Sequence, residues 1–176
     1  LISVLEADTG MLRRVTAVGI PQEALNELMT RKQPVAGIQQ LLKPEFKIGH
    51  SYFIPVDQAP VIPSDVHMVT LDVAFSREKN DTTWDADDFL LIPLENSEGE
   101  MIGLISLDDP NNGLRPDKAT IETIEVFAVQ AALTISNITR QTELRAKIES
   151  LSSGLQRQQR HLKLTQNDLP LLLRKD

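Results

Sequence analysis

The chain reads as an α+β protein, an antiparallel sheet interleaved with short helices and followed by one long C-terminal helix. Three features carry this reading. The runs "FLLIPL" and "EMIGLISL" flank "ENSEG", two β-favouring segments around a turn sequence, which makes a hairpin of residues 89–107. A second pair of β-favouring runs, 2–6 and 12–20, is split by Asp8-Thr9-Gly10. From residue 118 onward the period changes: Ile121, Ile124, Ala128, Ala131, Ile135 and Ile138 recur by threes and fours, as on one face of a helix.

In chain order, the opening hairpin is followed by Pro21, which starts a helix carrying Ala24, Leu25, Leu28 and Met29 at helical spacing. Pro34 begins a second short helix through Leu42. Residues 47–56, "KIGHSYFIPV", read as a third strand, with Pro55 marking an edge or bulge. Residues 57–86 are irregular, and a connection of that length inside a domain is commonly functional. In the last strand Ile102, Leu104 and Ser106 share one face and Met101, Gly103, Ile105 and Leu107 the other. Both faces are mainly apolar, so the sheet is expected to be covered on both sides. Asp117 is the expected N-cap of the long helix. Its apolar seam continues through Leu144, Ile148, Leu151, Leu155 and Leu162, a coiled-coil pattern displaced from a strict heptad by a three-residue stammer at Gln141. Gly154 and Gln158 weaken the coil, and "NDLPLLL" reads as a stop and a new cap.

Composition narrows the function. The net charge of -7 argues against general nucleic-acid binding. Charge is uneven, +4 from Arg140 onward and -11 before it, which places a boundary near 140. The absence of cysteine removes disulfides, thiolate metal sites and thiol nucleophiles. No apolar run approaches the roughly 20 residues of a membrane span and no signal sequence opens the chain, so a cytoplasmic protein is expected, a fragment lacking an initiator Met.

The segment from Trp84 to Asn137, "WDADDFLLIPLENSEGEMIGLISLDDPNNGLRPDKATIETIEVFAVQAALTISN", resembles the C-terminal half of GAF domains, in which "PL…G…G.(I/L)S(L/V)DDP…RP…(I/L)E.FA.QAA..I.N" recurs. "KIGHSYFIP" is similar to the third strand of the same family, as found in bacterial sensor histidine kinases, two-component response regulators and diguanylate cyclases. The resemblance covers residues 1–138. It implies a six-stranded antiparallel sheet, PAS-related, with helices on one face and a small-molecule pocket on the other, roofed by irregular segments. It also implies an N-terminal helix that this chain lacks, and a last helix that continues into a paired signalling helix. The expected division is thus a sensory domain at 1–138, a coiled-coil helix at 139–166 and the start of a further segment at 167–176.

Candidate sites follow. Asp108 and Asp109 are adjacent, so on a strand they point to opposite faces; with Pro110, Asn111, Asn112 and Gly113 behind them they read as a turn rather than an acid/base or metal pair. His50, His67 and His161 have no metal-ligand spacing, and His67, in the roof, is the one placed to meet a haem or an anionic effector. Tyr52, Phe75, Trp84 and Ser106 are pocket candidates, aromatic walls with a polar group. The resemblance offers no cofactor: covalent bilin attachment uses a cysteine, and the Asn-Lys-x-Phe-Asp-Glu signature of cyclic-nucleotide-binding members is absent. Ile135, Ile138, Leu144, Ile148, Leu151, Leu155 and Leu162 are the expected homodimer seam. The expected function is non-catalytic sensing within a bacterial two-component protein, with a ligand-free dimerisation spacer as the alternative. A pocket containing Tyr52, Trp84 or His67 favours the first, and a collapsed roof with no cavity the second.

Overall fold

The computed structural model describes residues 1–58 and 82–172, with side chains as far as His161. The elements run β1 (Ile2–Glu6), β2 (Met11–Thr16), α1 (Gln22–Thr30), β3 (Lys32–Pro34), α2 (Val35–Gln39), β4 (Lys47–Ile48), β5 (Ser51–Ile54), β6 (Phe89–Glu95), β7 (Met101–Leu107) and α3 (Lys118–Leu172). The strands form one antiparallel sheet of seven in the order β3-β2-β1-β7-β6-β5-β4.

Seven strands stand where six were expected, because two local features are hidden in the sequence. The 47–56 run folds as a hairpin of its own: Gly49 takes φ +65°, and Lys47 pairs back onto Tyr52. The three residues before the second helix pair with β2, Leu12 opposite Gln33, as a short edge strand. β2 itself ends at Thr16 rather than residue 20, and α2 ends at Gln39 rather than Leu42.

The sheet is covered on both faces. On one, Leu90, Ile92, Leu94 and Ile105 meet Ile121, Ala128 and Ala132 of α3. On the other, Leu12, Phe89, Leu91 and Leu104 pack with Ile38 of α2, Leu41 and Phe46, so helices lie on both sides rather than one. Pro93, inside β6, lies beyond the last pair with β5, Tyr52 opposite Leu91, and its missing N–H is not needed on that edge. A bulge between Leu94 and Glu95 shifts the β6–β7 register. Ile102 therefore joins the α3 face and Met101 the α2 face, while Leu104 keeps the side that alternation assigns it.

The chain divides into a unit Leu1–Ser136 and a unit Asn137–Asp176. α3 starts as expected, Asp117 Oδ1 accepting from Thr120 N at 2.8 Å. The stop expected at 167–170 is not seen, the helix being continuous through Leu172, the last described residue. Ile121, Ile124, Ala128, Ala131, Ala132 and Ile135 all serve the sheet core. Val126, Phe127, Val129 and Leu133 of the same helix are exposed, as are Ile138, Leu144, Ile148, Leu151 and Leu155 in the second unit. Within residues 118–161 the apolar content also suffices by length and composition for a membrane span, which the interspersed Glu122 and Glu125 conceal from a search for unbroken runs.

Candidate functional site

Above the sheet face opposite α3 lies a cavity of about 360 Å³, within the range of small-ligand sites and near its lower end. Its floor is the sheet: Phe89 and Leu91 of β6, Ser106 and Leu107 of β7, and Arg14 of β2. Leu28 of α1, Gln33 of β3 and the stretch Val18, Gly19 and Ile20 wall one end; Asp108, Asp109 and Asn111, beyond β7, lie at the other.

Arg14 is the unusual member. Period two along β2 points Leu12 and Arg14 inward and Arg13 outward, where Arg13 pairs with Glu6 at 3.2 Å. Arg14 is 1 % exposed. Its Nη1 donates to Arg31 O at 2.8 Å and Leu28 O at 3.4 Å, and its Nη2 to Gln33 Oε1 at 3.3 Å. Burial lowers its pKa, and the charge of Arg31 adds to that. Ser3 faces Arg14 in the β1–β2 register on the same side of the sheet, and its Oγ is buried without a hydrogen-bond partner.

The opposite end is acidic. Asp108 Oδ1 accepts from Asp109 N at 2.8 Å and from Trp84 Nε1 at 3.3 Å. Burial raises the Asp108 pKa, those two hydrogen bonds oppose the rise, and the charges of Asp109 and Asp87 add to it. The backbone turns here as the sequence indicates: Asp109 has φ 44°, Gly113 φ 63°, and Asn112 Oδ1 caps Leu114 N at 3.0 Å. The turn residues are therefore also cavity residues, which strand alternation alone does not reveal. Leu1 N donates to Ser106 O at 3.0 Å.

Of the residues singled out in the sequence, Ser106 lines the cavity. Tyr52 packs against the core cluster of the same sheet face, beneath Lys47 Nζ at 6.0 Å, without lining it. Trp84 belongs to the α3 face, tilted 55° against Phe53 at 5.8 Å, and reaches the cavity's acidic end only through Asp108. His67 and Phe75 lie outside the described residues. The sequence reading missed Arg14, Gln33 and Asp108 as site members. For Arg14 a signal existed, since it stands two residues from Leu12 in a strand.

The α3 face is organised differently. Asp88, fully buried, holds Arg115 through two bonds of 2.9 and 3.0 Å and also accepts from Val56 N and Asp85 N, both at 2.9 Å. The Arg115 guanidinium lies over Phe53 at 5.4 Å, and its pKa is raised by Asp88. Glu125 Oε1 takes His50 N at 2.6 Å and Ser51 Oγ at 2.7 Å, clasping the β4–β5 turn to α3. Among the described residues no group of three His, Cys, Asp or Glu could hold a metal ion.

The family model of the GAF domain matches residues 1–135. No curated protein and no solved structure matches the chain.

Proposed function

The chain belongs to the GAF family, and from that premise we propose that it is a non-catalytic sensory module of a bacterial two-component protein, working in the cytoplasm. A small molecule in the cavity of the first unit biases the pairing of α3 with a second copy, and the paired helix passes that bias to an output domain such as a kinase or cyclase. The observation that carries this reading is the cavity itself, about 360 Å³ with a buried guanidinium and an acidic end. A spacer without a ligand has no use for such a space, and filling it with apolar side chains would be the more stable solution.

The pairing element is the leucine stripe of α3. Leu144, Ile148, Leu151 and Leu155 are each more than half exposed and alternate by four and three, the spacing of a coiled-coil seam; Leu162 continues that spacing in the sequence. A lone helix with such a stripe keeps it wet, whereas a second copy buries it. Ile135 is partly buried against the core. Sedimentation velocity of the chain tests this: a dimer is expected for the native sequence and a monomer for Leu151→Glu. A native chain that stays monomeric at high micromolar concentration contradicts it.

A further inference from the structure

One polar group in the cavity wall uses only half of its hydrogen-bonding capacity. Gln33 of β3 stands opposite Leu12 in the sheet register, so its side chain shares the inner face with Leu12 and Arg14. It is 3 % exposed and lines the cavity. Its Oε1 accepts from Arg14 Nη2 at 3.3 Å, and since a guanidinium only donates, that bond fixes which end of the carboxamide is oxygen. The amide nitrogen carries two donors and makes no hydrogen bond among the described residues. It is not sealed inside the protein as Ser3 Oγ is, so it opens onto the cavity. A buried donor without an acceptor is uncommon, and at the wall of a cavity it marks where an acceptor belongs.

The charged members of the lining are committed or distant. Arg14 is engaged by Leu28 O, Arg31 O and Gln33 Oε1, so it holds the α1 wall and orients the carboxamide. Ser3 pairs with both Arg14 and Leu104, and Asp108 follows Leu104 by four residues, which puts the acidic end about 16 Å from Arg14. A compact molecule at Gln33 does not reach it. Much of the remaining lining is apolar, with Leu28 nearest to Arg14 and Ile20, Phe89 and Leu91 farther along. Resting on the reading that this cavity holds the signal molecule, we propose that its ligand is a small uncharged carbonyl compound, a ketone or an amide. Its oxygen accepts from Gln33 Nε2, and its apolar body packs against Leu28 and the apolar lining beyond. A carboxylate is a poorer guest, because it must be desolvated and the guanidinium fork is already taken. A hydrocarbon of the same outline leaves the amide nitrogen unmatched.

The experiment titrates the full chain with four probes of one outline, followed by fluorine NMR: 4-fluoroacetophenone, 4-fluorobenzamide, 4-fluorobenzoate and 1-ethyl-4-fluorobenzene. The ketone or the amide is expected to bind saturably, roughly threefold to tenfold tighter than the ethyl compound, the worth of one hydrogen bond to a buried donor. Whichever of the two binds tighter identifies the carbonyl class. The benzoate is expected to bind more weakly than the ketone. In a nitrogen-15 correlation spectrum the side-chain amide signals of Gln33 should move downfield with the ketone and stay in place with the ethyl compound. Gln33→Glu keeps the outline and the acceptor for Arg14 but removes both donors, and should bring the ketone down to the affinity of the ethyl compound. Should that variant fail to fold, the native chain's preference and the Gln33 signals carry the same information. Equal affinity for the ketone, the amide and the ethyl compound overturns the proposal, as does tighter binding of the benzoate or binding of none of the probes. If the chain is instead found by native mass spectrometry to carry a ligand of another class, this inference falls and the sensory reading stands.

Discussion

The two faces of the sheet handle their polar groups in opposite ways. On the α3 face the charged groups brought inside are matched among the described residues. Asp88 accepts four hydrogen bonds, two from Arg115 and two from backbone amides, and Glu125 is satisfied by His50 N and Ser51 Oγ. On the other face Ser3 Oγ is left without a partner among the described residues, and Asp108 is held where burial opposes its charge. Matched polar groups stabilise and fix geometry, whereas unmatched ones cost about 1–3 kcal/mol each and persist where something other than stability retains them. One face is built for stability; the other carries the cavity.

Breaking the matched face has the largest effects. Asp88→Ala strands the Arg115 charge and removes the acceptor of two backbone amides, and should cost about 3–5 kcal/mol in urea unfolding. Ile92→Ala, opening a void where β6 meets α3, should cost about 2–4 kcal/mol by the same measurement. Glu125→Ala releases the β4–β5 turn from α3 at about 1–2 kcal/mol, read also as faster amide exchange at His50.

The cavity face should respond with the opposite sign. The Asp108 pKa lies above its ordinary value of 3.8, so the folded state disfavours the ionised form. That penalty is complete above the raised pKa and vanishes once pH falls below 3.8, where folded and unfolded chains are both protonated. Asp108→Asn should therefore raise the Tm slightly at neutral pH, with the gain disappearing in acid. An unchanged or lowered Tm at neutral pH erases the contrast between the faces.

How much of this was legible depended on whether a signal was local. The β6–β7 hairpin is set by "ENSEG" and its flanks, and the start of α3 by Asp117, all within a few residues, and the structure has them where the sequence puts them. Leu107 and Asp109 likewise bracket a turn that the sequence announces. Spacing alone did not show which apolar residues of α3 serve the sheet, because the series looks continuous in the sequence; burial shows that Ile121 through Ile135 pack on the sheet whereas Ile138 and Leu144 are exposed. The β3 edge strand and the split at Gly49 were invisible because strands of two or three residues carry no periodicity. Arg14 was overlooked because an arginine in "LRRV" reads as solvent-facing, although its period-two spacing from Leu12 places it on the inner side of β2.

Native mass spectrometry of the chain purified from its own host tests most directly whether the unmatched face is a ligand site. The native sequence should carry one small molecule per chain, and Arg14→Gln, with its circular dichroism unchanged, should be free of it. Bare protein mass for the native sequence, or the same adduct on both proteins, would contradict the account.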